Sequence, residues 1–262
     1  MKAPDGFVEA HLRARRDAGA KILAPYITGG IDRRWIDLVR SAADAGADVI
    51  EIGIPFSDPV MDGPTIQAAS ERALAGGATP ASILDDVSRA DVGIPLVVMT
   101  YFNIAFRVGV ERFASEAREA GISGAILPDV PLEELDEWRP AATAAGLETV
   151  MLASPVTPDD RLATLTSAAQ GFVYGVNLLG VTGERAAIGE RAAALAGRLK
   201  ATTDLPTVMG FGVSTPEQAV EVAAHADGVV VGSAFMRRVL DGEGPMRVGR
   251  AVADMRAALD AG

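Results

Sequence analysis

One pattern recurs along most of this chain and restricts its fold. A short apolar run rich in β-branched residues is followed by a turn and then by an Ala-, Arg- and Glu-rich stretch at helical spacing. The runs cover residues 21–28, 48–55, 95–100, 124–128, 148–153, 171–176, 206–210 and 228–232.

Eight such units in a chain of 262 residues match the number and size of a (β/α)8 barrel. The alternative is a doubly wound open sheet, but no GxGxxG sequence follows the first run. We therefore predict one α/β domain, a TIM barrel spanning residues 1–262. An amphipathic segment at residues 7–18 predicts an extra N-terminal helix against the outside or the bottom of this barrel.

The connections after the second and sixth runs are longer than the others. Most connections are only long enough for a loop, a helix and a return to the sheet. We expect the extra residues to lie mostly in loops at the face where barrel enzymes hold their catalytic residues.

The charge balance excludes several classes of partner. The net charge of −11 leaves no basic face for nucleic acid, although a local pocket for one phosphate is compatible with it. No run of 18 apolar residues and no apolar signal core is present, so we expect no membrane span and no secretion signal. The absence of Cys fits a reducing compartment, and we predict a cytoplasmic protein.

Glu51 stands inside an apolar strand sequence, DVIEIGI. Alternation places three Ile residues on the outer face and Glu51 in the barrel lumen, together with Val49 and Gly53. A buried carboxylate is costly unless it is paired, and its pKa rises. A salt bridge from Glu51 to a lumen Arg or Lys is the simpler explanation. However, no predicted strand contains an Arg, and the only Lys in any of them is Lys21, at the start of the first strand. We therefore favour a Glu that donates and accepts protons.

The loop after this strand carries two further carboxylates. Asp58 precedes Pro59, an arrangement that is also typical of a simple turn. Asp62 precedes Gly63 and Pro64 and a helical stretch, so these residues alone leave it open whether Asp62 caps a helix or takes part in chemistry.

Glycines follow the last two predicted strands, in GFGVSTP at 210–216 and GSA at 232–234. In barrels these two loops commonly hold a phosphate through backbone N–H groups, so we predict a phosphate site. The long connection after the sixth strand contains GVTG at 180–183. This segment indicates either a lid that brings the Thr182 hydroxyl near the site or a merely flexible surface loop.

The positions of Lys and His exclude two other chemistries. None of the three Lys residues follows the C-terminal end of a predicted strand, so a Schiff-base mechanism lacks its amine. His11 and His225 lie away from that face, and we predict no metal site. A carboxylate-driven reaction on a phosphorylated substrate remains.

Residues 51–67, EIGIPFSDPVMDGPTIQ, closely resemble the signature of the tryptophan synthase alpha subunit family. Shorter matches follow in the same order along the rest of the chain. They are PYIT at 25–28, MTYFN at 99–103, LPDVP at 127–131, GVTG at 180–183, GFG at 210–212 and GS at 232–233.

This resemblance implies a retro-aldol cleavage of indole-3-glycerol phosphate to indole and glyceraldehyde 3-phosphate. Glu51 would be the acid at indole C3 and the base for the glycerol hydroxyl, Asp62 would take or stabilise the indole N–H proton, and Thr182 would position Asp62. By the same resemblance Tyr174 lies near the active site. Gly183, Phe211, Gly212, Gly232 and Ser233 match phosphate and ring-lining positions, and Tyr26, Met99 and Tyr101 match an apolar indole pocket.

The resemblance also implies an α2β2 complex in which a pyridoxal-phosphate β subunit receives the indole. This chain would then hold no cofactor, and Asp58 would lie in the region that communicates with the partner. Two stretches depart from the family pattern, GGID at 29–32 and NLL at 177–179, and the second bears on that communication. The alternatives are a free-standing indole-3-glycerol phosphate lyase and a catalytically silent barrel that activates a β-type partner.

Overall fold

Eight parallel strands form a closed barrel in the order β1 to β8. The structure is a computed structural model that describes residues 6–177 and 186–262. It confirms the predicted TIM barrel, with somewhat shorter strands than the apolar runs. The strands are β1 (Ile22–Thr28), β2 (Ile50–Gly53), β3 (Leu96–Met99), β4 (Gly124–Ile126), β5 (Glu148–Ala153), β6 (Val173–Val176), β7 (Thr207–Gly210) and β8 (Gly228–Val231).

Helices surround this barrel and connect its strands. Within the described ranges, no helix has the length and apolar character needed to cross a membrane. The helices are α1 (Phe7–Asp17), α2 (Trp35–Asp44), α3 (Pro64–Ala75), α4 (Pro80–Val87), α5 (Phe102–Val108), α6 (Val110–Glu119), α7 (Leu135–Ala145), α8 (Asp159–Ala168), α9 (Ala186–Lys200), α10 (Pro216–Ala223), α11 (Ser233–Leu240) and α12 (Pro245–Ala261).

The long connection from β2 to β3 differs from the expectation that its extra residues lie mostly in loops. After the loop at 54–63 it folds as two helices, α3 and α4. The second helix begins with a capping box, in which the Thr79 hydroxyl accepts the Ser82 N–H at 3.1 Å and the Ser82 hydroxyl accepts the Thr79 N–H at 3.0 Å. Pro80 at the first helical position adds to this start signal.

The apolar core has two parts. A large outer cluster fills the space between the strands and the surrounding helices. A smaller inner cluster fills the lower half of the barrel, and Val8 and Leu12 of α1 belong to it. The predicted N-terminal helix therefore closes the bottom of the barrel.

A glutamate from the opposite half of the chain caps α1. The residue before the helix is Gly6, which has no side chain to cap it. Glu148, at the start of β5, accepts hydrogen bonds from the backbone N–H groups of Val8 (2.7 Å) and Glu9 (2.9 Å). These are two of the N–H groups that a helix leaves without an internal partner, so Glu148 attaches α1 to the barrel.

Asp48, just before β2, provides a second attachment at the same end. Its carboxylate accepts the Leu23 N–H at 2.8 Å and one Arg256 N–H at 3.2 Å. Arg15 of α1 forms an ion pair with it at 2.6 Å, without the angles of a hydrogen bond. The charged groups at the bottom of the barrel are thus paired, as burial requires.

Candidate active site

A cavity of about 300 Å³ opens at the C-terminal ends of the strands. Residues from most of the strands and their loops meet in this cavity, although they are far apart in the sequence. The predicted site residues that line it are Tyr26, Glu51, Asp62, Met99, Tyr174, Gly212, Gly232 and Ser233.

Glu51 lies in the middle of β2, beside Tyr26 of β1 and Val97 of β3. Its side chain faces the lumen, and the residue is 2% exposed. Neither carboxylate oxygen has a hydrogen-bond partner among the described residues, so the salt-bridge alternative finds no support there. Burial raises the pKa of Glu51 to about 8, and the negative charge of Asp62 contributes to this rise. At neutral pH this side chain is therefore mostly a protonated acid.

Asp62 lies on the loop between β2 and α3 and reaches the same cavity. The helix α3 has Gly63 as its N-cap, without a side-chain capping bond, so Asp62 does not occupy the capping position. Burial raises the pKa of Asp62 to about 6, although a hydrogen bond with the Tyr101 hydroxyl lowers it. Asp62 is therefore mostly ionised at neutral pH, while Glu51 is not.

Tyr101 holds the loop that carries Asp62. Its hydroxyl oxygen accepts the Met61 N–H at 3.0 Å, which leaves its own proton for the Asp62 carboxylate. The ring stacks on Phe56 of the same loop, with the ring centroids 4.9 Å apart. Burial raises the pKa of Tyr101 to about 12, so its hydroxyl keeps the proton that it donates.

The other two tyrosines of the chain each lie on a glycine of the neighbouring strand. A Cβ atom on Gly53 would fall 1.9 Å from the Tyr26 hydroxyl oxygen, and one on Gly210 would fall 2.5 Å from Tyr174 Cε2. These glycines make room for the rings, because any side chain there would collide with them. Burial raises the pKa of both phenols, so they face the cavity as neutral hydroxyl groups.

The glycine-rich end of the cavity lies at the start of α11. The helix begins at Ser233 after Gly232, which has no side-chain capping bond. The first N–H groups of a helix lack internal partners and attract anions. Gly212, which follows the neighbouring strand β7, has a positive φ of 73°, a conformation that favours glycine. The phosphate site predicted from the sequence refers to this end of the cavity.

Other predicted site residues lie elsewhere. Phe211 is buried in the outer core and does not line the cavity. Asp58 is exposed on the loop and accepts a hydrogen bond from the Ser57 hydroxyl at 2.6 Å. Thr182 and Gly183 lie outside the described residues.

Several lining residues were not predicted from the sequence. Strand alternation would have identified four of them. Val230 belongs to the inner cluster, and Leu152, Val176 and Gly210 each lie two positions after a residue of that cluster or one packed against it. The positions of the others depend on how the loops and α3 fold over the barrel. They are Met61, Gly63, Ile66, Pro128, Asn177 and Val213.

A smaller cavity of about 160 Å³ adjoins the first, beside β5 and the helices α7 and α8. The two share Met61, Pro128, Leu152 and Val176, but neither acid lines the smaller one. In the described ranges no three His, Cys, Asp or Glu side chains are grouped so as to hold a metal ion.

A closed barrel with one protonated and one ionised carboxyl group in a cavity, beside a glycine-lined helix N-terminus, has the features of a barrel enzyme of the acid–base class. The family model of the tryptophan synthase alpha chain matches residues 12–257. The chain therefore belongs to the tryptophan synthase alpha chain family.

Named relatives agree with this assignment. The chain is 50% identical over 219 residues to the tryptophan synthase alpha chain of Streptomyces coelicolor, which covers 83% of this chain and 79% of the relative. It is 48% identical over 236 residues to that of Streptomyces avermitilis, which covers 88% and 85%.

Solved structures show the same likeness. The alpha subunit of tryptophan synthase from Legionella pneumophila superposes with a TM-score of 0.88 at 34% identity, covering 99% of this chain and all of that one. A tryptophan synthase from Mycobacterium tuberculosis gives a TM-score of 0.89 at 35% identity, covering 97% and 98%.

Proposed function

We propose that this chain cleaves indole-3-glycerol phosphate to indole and glyceraldehyde 3-phosphate, as the alpha chain of a tryptophan synthase. The observation that carries the proposal is the pair of carboxyl groups in one cavity, Glu51 protonated and Asp62 ionised at neutral pH. Family membership supports the substrate, and the glycine-lined end of the cavity gives its phosphate a place.

The first step is a proton transfer from Glu51 to C3 of the indole ring. The protonated ring carries a positive charge that is centred on its nitrogen, and the Asp62 carboxylate stabilises the N–H group there. Because the ring is now electron-deficient, it can take up the bonding electrons in the next step. Glu51 is left as a carboxylate, which its buried position makes a strong base.

In the second step the bond between indole C3 and the glycerol carbon breaks. Its electron pair returns to the ring and restores indole. The hydroxyl group on the glycerol carbon gives its proton to Glu51 and becomes the aldehyde of glyceraldehyde 3-phosphate. Glu51 ends the cycle protonated, as it began, so one residue serves as acid and base.

The partner is proposed from family membership. A tryptophan synthase β subunit with pyridoxal phosphate would receive the indole, and this chain would hold no cofactor of its own. Asp58 would contribute to communication with that subunit. Its exposed position two residues before an exposed apolar residue of the same loop, Val60 at 81% exposed, supports a protein contact there. A cytoplasmic location is consistent with such a biosynthetic complex.

The test is an assay of the purified chain with indole-3-glycerol phosphate, alone and with a β subunit. Slow indole release that rises strongly with the β subunit is expected for an alpha chain. High turnover of the chain alone would instead support a free-standing lyase. No indole release under either condition would contradict the proposed reaction and leave a silent, activating barrel.

A further inference from the structure

The ring of Tyr26 spans the mouth of the barrel between its two functional ends. At one end a Cβ atom on Gly232 would lie 3.3 Å from the Tyr26 Cβ. At the other end the hydroxyl lies on Gly53, two residues beyond Glu51 on β2. The ring therefore extends from the start of α11, where the phosphate is proposed to bind, to the strand that carries Glu51, and the residue is only 6% exposed.

The hydroxyl of Tyr26 has a donor beside it. The hydroxyl of Thr28, a fully buried residue, donates to its oxygen at 3.4 Å. In the part of the chain that the structure describes, this is the one hydrogen bond that the phenol makes. Burial and the charges of Asp62 and Glu51 raise the pKa of Tyr26, so the phenol keeps its proton. A buried phenol normally donates that proton, and the side open to it is the cavity.

We propose that the Tyr26 hydroxyl donates a hydrogen bond to the substrate hydroxyl oxygen next to the bond that breaks. This inference rests on the proposed function. A substrate whose phosphate lies at Gly232 and whose indole C3 lies at Glu51 must place its glycerol chain along the Tyr26 ring. The oxygen that loses its proton to Glu51 then lies at the hydroxyl end of that ring.

This contact has a chemical role. As the glycerol hydroxyl loses its proton, its oxygen gains negative charge before it becomes the aldehyde oxygen. A fixed donor at that oxygen stabilises the developing charge and holds the hydroxyl towards Glu51. The Thr28 hydroxyl polarises the phenol and strengthens the bond that the phenol donates. The sequence resemblance had placed Tyr26 only in an apolar pocket for the ring.

The test compares wild type and Tyr26→Phe with two compounds. Indole-3-glycerol phosphate carries the glycerol hydroxyl, whereas indole-3-propanol phosphate has the same ring and phosphate without hydroxyl groups. The variant is expected to lose about tenfold in kcat/KM for the first compound, mainly in kcat. Its Kd for the second compound is expected to stay unchanged. Thr28→Val, which keeps the phenol but removes its donor, is expected to lose about two- to threefold in kcat/KM.

Three results would overturn the inference. Equal kcat/KM values in wild type and Tyr26→Phe would exclude the contact while leaving the proposed reaction intact. A loss of affinity for indole-3-propanol phosphate as large as the loss in kcat/KM would show that the hydroxyl only maintains the pocket. A wild-type protein that released no indole, with or without a β subunit, would overturn the proposed function and this contact together.

Discussion

Two buried glutamates, Glu148 and Glu51, lie at opposite ends of the barrel. Both belong to strands, and they are 5% and 2% exposed. Burial raises the pKa of each, but at the bottom the N–H groups of two residues of α1 and the charge of Arg118 lower the pKa of Glu148 again. In the cavity no described group lowers the pKa of Glu51, which rises to about 8.

The difference shows how one barrel uses the same side chain for two purposes. At the bottom, hydrogen bonds offset part of the effect of burial, and Glu148 holds α1 in place. At the top, the fold keeps Glu51 without partners, so its proton is available for transfer. Mutations that act on the two residues should therefore separate activity from stability.

The largest expected effect is on turnover in Glu51→Gln. A Gln side chain fills the same space but cannot give or take a proton, so indole release should fall by about 10² to 10⁴-fold. Substrate binding should persist, because the rest of the cavity is unchanged. Steady-state kinetics and a binding measurement with indole-3-propanol phosphate check this, and turnover near the wild-type value would contradict the role of Glu51.

The same variant should be more stable than wild type, increasingly so at higher pH. The folded protein holds a proton on Glu51 that the unfolded chain has released between pH values of about 4.5 and 8. The free energy of unfolding of wild type thus falls as pH rises, by up to about 1.4 kcal/mol per pH unit from this residue. Denaturant unfolding at several pH values measures the gap, and a gap that shrinks between pH 5 and 8 would contradict the raised pKa.

Asp62→Asn is expected to lower turnover by about 10²-fold, because a neutral amide cannot stabilise the positive charge on the ring. The helix α3 should be unaffected, since its N-cap is Gly63. Circular dichroism and thermal unfolding provide the control. Activity within a few fold of wild type would restore a purely structural role for Asp62.

The pair of acids should give a bell-shaped dependence of kcat/KM on pH. Below about pH 6 Asp62 becomes protonated, and above about pH 8 Glu51 loses its proton. Each limb should fall by about tenfold per pH unit, with apparent pKa values that belong to the coupled pair. A profile that is flat from pH 5 to 9 would show that these ionisations do not control the reaction.

The smallest effect on activity is expected at the bottom of the barrel. Glu148→Gln keeps one acceptor for α1 but turns an amide group towards the other N–H, so stability should fall by about 1–2 kcal/mol. Turnover per folded molecule should stay within about twofold. The matched control is Glu133→Gln, which breaks an exposed pair with Arg161 and should leave Tm nearly unchanged. A large loss of turnover in Glu148→Gln would contradict the conclusion that Glu148 serves stability and Glu51 serves activity.

Local patterns in the sequence predict much of this molecule. The repeated strand and helix units predict the barrel, and strand alternation places Glu51 in the lumen. The predicted strands contain no Arg, and no Lys near their C-terminal ends, which predicts that the Glu51 carboxylate has no charged partner. Among the described residues the structure shows no hydrogen-bond partner for it. These predictions succeed because each depends on residues that are neighbours in the chain.

Contacts between distant segments are not predictable in this way. The contact of the Tyr26 ring with Gly53 depends on the register between β1 and β2. The capping of α1 depends on Glu148, which is 140 residues away from Val8 in the sequence. The residues that flank Asp62 leave open whether it caps a helix or takes part in chemistry, and the family resemblance favours chemistry. The fold adds that the loop brings Asp62 into the cavity and that Gly63 is the N-cap of α3.

The cap that Glu148 provides also affects the order in which parts of the chain can fold during synthesis. The N–H of Val8 and the carboxylate that accepts it are 140 residues apart, so the contact cannot form until the start of β5 has been synthesised. Helix α1 therefore has no side-chain cap until β5 follows it. The inner apolar cluster that contains Val8 and Leu12 also includes Val208 of β7 and Val230 of β8, so this cluster is complete only when the last two strands have formed.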